Sequence, residues 1–379
     1  MIHALFWLSV AGLFYIYAGY PLWMLMRMRI ATRAIKKSPC PVSVSVLISV
    51  HGEAAQLERK LKSLLDAEGA DRIREILVGS DGSPDDVRGA VERVGDPRIH
   101  LLAFPVRRGK PSVLNDLMAR ATGDVVVFTD ARQPIARGAL GALLENFADP
   151  EVGVVSGELV FMEGESRNPA AHGIGAYWRY EKAIRKAESA VGSVPGATGA
   201  LYAVRRSLLD PIPPQTILDD VAIPLNAIRQ GARCVFEGRA EVYDAPSADA
   251  RREAIRKRRT IAGNVQLILL WPGLLLPWRN PVWFEFVSHK LARLASPLLL
   301  LVLLYSTVWL RGERLYGTIL LAQGAFGFLA LLGWLLGRVG VRVGALGIPM
   351  MFIALNLSTL AALYDAISGR FVVQWRRPT

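Results

Sequence analysis

Carboxylates and basic side chains stand where short polar turns interrupt apolar runs. Asp81 lies in Ser-Asp-Gly-Ser at 80–83, directly after a strand-like segment. A carboxylate there can accept hydrogen bonds from a uracil or a ribose hydroxyl, although Asp and Gly also form an Asx turn with no ligand. Glu53 closes Val-Leu-Ile-Ser-Val-His-Gly-Glu at 46–53 and reads either as a ligand contact or as the first-turn acid of the next helix. Arg107, Arg108, Gly109 and Lys110 make a basic turn. Lys110 is the member placed to neutralise a diphosphate, and the two arginines read equally as solvated charge. Asp130 ends Val-Phe-Thr-Asp, where a strand-end carboxylate can hold a hard divalent cation, Mg or Mn, against a diphosphate. Asp219 and Asp220 stand together ahead of an apolar segment. Capping and the helix dipole account for one of these acids, whereas a second, positioned carboxylate can serve as a general base. Arg252, Arg256 and Arg259 recur at helical spacing, so their guanidinium groups can converge on a diphosphate. The neighbouring Arg251 and Lys257 suit anionic lipid headgroups.

The elements that must position these groups alternate in type. Val42, Val44, Val46 and Ile48 mark a strand, and Leu57, Leu61, Leu64 and Leu65 mark a helix with one apolar stripe. Residues 75–79, 99–104, 125–128 and 152–161 are further strand candidates, with helical segments at 113–121 and 140–147. Ser83-Pro84 supplies an N-cap and a favoured first helical residue. Such alternation predicts an α/β fold with a doubly wound, mostly parallel sheet. Ligands of such sheets collect beyond the carboxyl ends of the strands, which is where the polar groups at 49–53, 80–83 and 129–133 fall. The run of small residues from Pro195 to Ala203 permits close approach by a ligand, or makes a tight backbone turn.

Hydrophobic residues make up 52% of the 379-residue chain and concentrate at its two ends, which predicts membrane segments flanking a soluble middle. Residues 2–26 are long enough to cross a hydrocarbon core of ~30 Å. Arg27, Arg29, Arg33, Lys36 and Lys37 follow that run and none precedes it, which favours an anchor over a signal peptide and keeps the middle cytoplasmic. Three further spans are expected at 291–310, 316–336 and 346–367. Their order puts Arg370, Arg376 and Arg377 outside, against the charge rule, unless one segment is re-entrant. The apolar stretch at 265–278 is short and broken by Pro272 and Pro277, and reads as an interfacial segment or a core helix. The expected divisions are a transmembrane helix at 1–27, a cytosolic catalytic domain at 28–263, an interfacial segment at 264–290, transmembrane helices at 291–369 and a basic tail at 370–379. The two cysteines, Cys40 and Cys234, have neither zinc-site nor disulfide-framework spacing. The formal charge of +12 fits membrane lipids and a polyphosphate ligand. No stacking aromatics interleave the basic run, so nucleic acid is excluded as a partner.

Three motifs in order, at 46–53, 78–83 (Val-Gly-Ser-Asp-Gly-Ser) and 127–131 (Val-Phe-Thr-Asp-Ala), resemble glycosyltransferase family 2. This nucleotide-sugar-dependent group includes hyaluronan, chitin-oligosaccharide and cellulose synthases. The resemblance extends over about residues 42–290 and implies a GT-A-like domain with a nucleotide-sugar donor, of the UDP-sugar kind. It implies nucleoside binding by Asp81 and donor contacts from Glu53, Lys110, Asp130, Arg256 and Arg259. It further implies a divalent cation at Asp130, and Asp220 as the base of an inverting transfer with Asp219 in support. The acceptor it implies is a saccharide or a lipid-linked saccharide at the inner membrane, as in exopolysaccharide synthesis. The chain departs from the family in two places. Arg132 stands where a second acid or Asn is usual, so it could replace part of the metal's charge or pair with Asp130 and close the site. Thr260 follows Arg259 where processive synthases carry Trp, which removes the signature of a polymerising enzyme. Transfer to a polyprenyl phosphate and a non-catalytic nucleotide-binding assembly role are the alternative expectations.

Overall fold

The computed structural model describes residues 1–161, 171–244, 250–339, 341 and 343–368. Among these residues seven strands form one sheet: β1 (Val44–Val50), β2 (Ile73–Asp81), β3 (Ile99–Phe104), β4 (Val125–Thr129), β5 (Val152–Phe161), β6 (Leu201–Arg205) and β7 (Arg233–Asp244). Their order is β3-β2-β1-β4-β6-β5-β7. β1 pairs in parallel with β2 and β4, and β2 with β3. All four therefore end at one edge, bringing the turns at 51–53, 82–83 and 130–133 together, as the alternation predicts. β6 is antiparallel to both β4 and β5, while β5 and β7 are parallel. The reversal sets Leu201 opposite Thr129. The small-residue turn that enters β6 thereby lands beside Asp130.

The sheet is covered on both faces, which explains why β1 and β4 read as nearly continuous apolar runs. Val44, Val46 and Ile48 face one core with Leu57, Leu61 and Leu64 of the helix Ala54–Leu65. Leu47, Phe128 and Tyr202 face the other, with Val221 and Leu225 of the helix Asp219–Arg229. Each fully buried leucine contributes about 1.5–3 kcal/mol, so the helix carrying Leu57, Leu61 and Leu64 is fixed largely by its stripe.

Among the described residues four helices are long and apolar enough to cross a membrane: Ile2–Ile30, Trp283–Trp309, Arg314–Arg338 and Gly344–Ile367. Most of their surface is exposed, with Leu8, Leu321, Phe328 and Ile367 among the outward side chains. Apolar surface on that scale requires a lipid or protein partner. Hydrogen bonds join the helices, as polar side chains do in an apolar medium: Tyr15 to Ser288 and Tyr17 to Ser296, each 2.6 Å, and Ser296 to Asn356 at 2.5 Å. The helix Trp283–Trp309 starts eight residues before the 291 expected from apolarity. Polar partners accommodate the charges in its first turns, because Glu285 lies 3.7 Å from Arg27, and His289 contacts Glu181 and Glu188. The 265–278 stretch is divided between the helix Ala250–Leu270 and the turn Pro272–Leu275. Leu267 and Leu274 are buried while Leu269, Leu275 and Trp278 face outward. The expected basic tail lies outside the described residues.

Candidate functional site

An open cleft of about 490 Å³, solvent space included, lies at the shared strand edge, lined among others by His51, Glu53, Asp81, Arg107, Lys110, Asp130 and Arg132. Asp81, the last residue of β2, is buried, and its carboxylate accepts from the backbone N–H groups of Arg108 at 2.6 Å and Gly109 at 2.9 Å. The basic turn is thus pinned to β2 by Asp81, a contact across the fold rather than a local Asx turn. A carboxylate has about four lone-pair sites, so acceptor capacity remains for a ligand. His51 Nδ1 bonds the Asp81 carbonyl at 2.7 Å and ties the end of β1 to that of β2. Glu53 precedes the helix Ala54–Leu65 without capping it, since Asp85 accepts from the Ala54 N–H at 2.7 Å instead.

Gly109 has φ +93°, a conformation side chains resist, and it turns the chain into the helix Lys110–Met118. Lys110 then points at two carboxylates, with Nζ 3.1 Å from Asp130 and 3.1 Å from Asp219. Burial works to lower the pKa of this ammonium. The carboxylates of Asp130, Asp219 and Asp220 outweigh burial and hold the pKa above the ordinary lysine value. Among the described residues the other oxygen of Asp130 has no hydrogen-bonding partner, and no three His, Cys, Asp or Glu side chains cluster as metal ligands. One carboxylate with an open oxygen fits a Mg-like ion, which commonly takes one or two carboxylates and completes its shell with waters and substrate phosphate.

Arg132 does not pair with Asp130. It donates to Asp244 at 2.8 Å, and Gln133 donates to the same carboxylate oxygen at 2.9 Å, so the turn after β4 is fixed to the end of β7 and Asp130 stays accessible. Sequence gave no signal for this pair, whose members are 112 positions apart.

Asp219 and Asp220 open the helix Asp219–Arg229. Gly199 packs on Asp220 so closely that a Cβ there would sit 2.9 Å from the carboxylate oxygen, and Ala197 N–H donates to the Asp220 carbonyl at 2.7 Å. The small-residue turn therefore frames this acid. Burial foremost, and then the Asp219 carboxylate, raise Asp220 to about 6, with Lys110 and Lys290 pulling the other way. Burial lowers the pKa of Arg259, against the opposing pull of the same three carboxylates. Its helix, Ala250–Leu270, is held to the segment ahead of Asp219 by Gln266, which accepts from Ile217 N–H at 2.9 Å and donates to the Gln215 carbonyl at 2.7 Å. Arg256 belongs to that helix, but its side chain lies outside the described residues, as do those of Arg251, Arg252 and Lys257.

Two site residues escaped the sequence reading. Tyr202 stacks on Phe128 with ring centroids 4.7 Å apart. Its buried hydroxyl has no partner among the described residues, and burial, then Asp219, Asp220 and Asp130, raise its pKa well above the ordinary value. Lys60 is fully buried below the site, donates to the Gln133 carbonyl at 2.7 Å, and is pushed down to about 7 by burial against the opposing pull of Asp130. Its place on a helical stripe gave no hint, because it sits one turn from Leu57 and Leu64 and reads as a solvated edge.

Residues 45–212 match the family model described as Glycosyl transferase family 2. An N-acetylglucosaminyltransferase of Rhizobium meliloti is 27% identical over 185 residues, 48% of this chain and 43% of that protein. A pre-mycofactocin glycosyltransferase of Mycobacterium tuberculosis is 34% identical over 139 residues, 35% of this chain and 27% of that one. The chain thus spans less than half the length of these curated relatives. A mannosyltransferase from Pyrobaculum calidifontis, solved with GDP-Man and Mn2+, has the same fold, with a TM-score of 0.73 at 23% identity, covering 98% of this chain and 100% of that one. The GT-A arrangement expected from the sequence is the one found.

Proposed function

Because the chain carries a glycosyl transferase family 2 domain, we propose that it transfers a sugar, with inversion, from a nucleotide-sugar donor to a saccharide or lipid-linked saccharide at the cytoplasmic membrane face. The observation that carries this reading is the Lys110 ammonium, 3.1 Å from Asp130 on the cleft side and 3.1 Å from Asp219 beside Asp220. One cation joins a phosphate-binding edge to a buried base. Asp81 and Glu53 receive the nucleoside, and Lys110 and Arg259 serve the diphosphate, with Arg256, whose side chain lies outside the described residues, assigned to it from sequence alone. Asp130 is the residue that would hold a divalent cation, which when bound would supply positive charge against the leaving diphosphate. Asp220 takes the proton of the acceptor hydroxyl as its oxygen bonds to the anomeric carbon, while the bond from that carbon to the diphosphate breaks and the nucleoside diphosphate departs. A base at about 6 is mostly ionised at pH 7 and still a useful proton acceptor. Asp219, paired with Lys110, orients it.

The test is nucleotide release from UDP-GlcNAc, UDP-Glc and GDP-Man in membranes containing the protein, with an Asp220→Asn variant alongside. Release from at least one donor, abolished in the variant, is expected. Release from none of the donors, or undiminished turnover in the variant, overturns the reading.

A further inference from the structure

Besides Lys110, two further cations, Arg185 and Lys290, act on Asp220, and the proposed reaction gives them no role. Arg185 sits on the helix Ala171–Val191 and donates to two neutral hydroxyls, Thr198 Oγ1 at 2.5 Å and Ser156 Oγ at 2.6 Å, with its guanidinium 5.1 Å from the Phe236 ring centroid. Thr198 precedes Gly199, the residue packed against the Asp220 carboxylate. Lys290 lies in the helical turn Phe286–Leu291, near the start of the apolar helix Trp283–Trp309. The charged groups facing it are Arg185, Asp220, Glu181 and Glu188. Among the described residues Lys290 makes no hydrogen bond and no ion pair.

The two nearby glutamates do not neutralise this pair. Glu181 is engaged by His289 Nε2 at 3.0 Å and by Arg293, and Glu188 by the Tyr20 hydroxyl at 2.5 Å and His289 Nδ1 at 2.7 Å. Neither glutamate lies within ion-pair distance of Arg185 or Lys290. Arg185 and Lys290, both half-buried, thus act on each other and on Asp220 with neither glutamate paired to them, and two cations against the one carboxylate leave positive charge that an arriving anion would offset. The apolar helix bearing Lys290 has 27 residues, about 40 Å at 1.5 Å per residue. That exceeds a hydrocarbon core of ~30 Å, and the charged residues Glu285, His289 and Lys290 fall in its first turns, which suits that end to headgroup level.

We propose that Arg185 and Lys290 form an acceptor site that binds the acceptor's phosphate group and so holds its hydroxyl near Asp220. The inference rests on the transferase reading for the word acceptor, but the binding of phosphate does not. The same chemistry could reach the site on a lipid or on a soluble sugar phosphate, and the helix start at headgroup level favours the lipid.

The full chain, purified in detergent, is titrated by calorimetry without donor, using farnesyl phosphate, farnesol and mannose 6-phosphate as probes. Farnesyl phosphate is expected to bind at least tenfold more tightly than farnesol. Lys290→Met and Arg185→Met should each weaken it tenfold or more while UDP and GDP affinity stays within twofold, which also shows that the variants are folded. Binding of mannose 6-phosphate instead, with the same loss in both variants, supports the site and assigns it to a soluble acceptor. Equal affinity for farnesol and farnesyl phosphate with no binding of mannose 6-phosphate, or unchanged phosphate affinity in Lys290→Met, overturns it. Nucleotide release that persists alongside such a failure would leave the transferase reading standing. Phosphate binding without release from any donor would do the reverse.

Discussion

Gly199→Ala is the sharpest probe of how the base is held. The added Cβ would lie 2.9 Å from one Asp220 carboxylate oxygen, 3.3 Å from Cγ and 3.4 Å from its Cβ, where ordinary contacts begin at 3.4 Å. Relief requires the carboxylate to move by about 0.5 Å, because the Asp220 backbone is fixed by the Ala197 N–H bond at 2.7 Å. A 1 Å misplacement of a reacting group costs on the order of 10²-fold in rate, so half that distance should cost about tenfold, or ~1.4 kcal/mol of barrier. Gly199 is not among the glycines with positive φ, so alanine brings no backbone strain and the change in Tm should be small. The assay is steady-state nucleotide release at saturating donor. A tenfold fall in kcat with donor KM within twofold is expected. A folded variant with kcat within twofold of the parent would refute the idea that this contact sets the base.

Asp220→Asn, which keeps the shape and removes the basicity, should lower kcat by about 10²–10⁴-fold and leave nucleoside diphosphate affinity within twofold; a smaller loss would assign the base elsewhere. Treatment with EDTA should depress donor affinity and turnover, with recovery on adding Mg or Mn, and Asp130→Asn should blunt that recovery; a full metal response in the variant would remove Asp130 as the ligand. Lys60 is held at about 7, below its unfolded value of ~10.4, so between those values the unfolded chain binds a proton that the folded one has shed and stability rises with pH. Thermal unfolding of the parent should therefore gain on Lys60→Met between pH 7 and 9.5, and a difference independent of pH would contradict the buried, weakly basic amine.

The parallel half of the sheet was legible because β1, β2 and β4 are covered on both faces, which leaves β-branched runs ending abruptly in polar turns. That Asp81, Lys110 and Asp130 would gather at one cleft was readable for the same reason, since each sits where such a run stops or a helix begins. The reversed β6 was not. Its direction depends on contacts such as Thr129 Oγ1 to the Ala200 carbonyl at 2.6 Å and the Phe128–Tyr202 stack, which no local period encodes. Tyr202 lay inside a motif noticed for its small residues and went unremarked. The start of the Trp283–Trp309 helix was hidden because apolarity marks a span only where charge is absent, and Glu285, His289 and Lys290 interrupt it. The answering groups are Arg27 for Glu285, and Glu181 and Glu188 for His289. All three lie far away in the chain, so the sequence shows the charges but not what neutralises them.

The sharing of Lys110 has a kinetic consequence. The ammonium depresses the proton affinity of Asp220 while Asp219 and burial raise it, and it sits within 3.1 Å of both Asp130 and Asp219. A donor diphosphate entering the cleft competes for that ammonium with at least two negative charges. To the extent that Lys110 turns toward the phosphates, Asp220 loses a stabilising partner for its charged form and becomes the stronger base. Donor binding would then prepare the base for the acceptor. The pH profile of kcat/KM reports the free enzyme and that of kcat the bound complex, so the acid limb near pH 6 in the former should lie at higher pH in the latter. In Lys110→Met the two limbs should converge, both displaced upward. A kcat limb at or below that of kcat/KM in the parent protein would mean that Lys110 remains with the carboxylates throughout turnover.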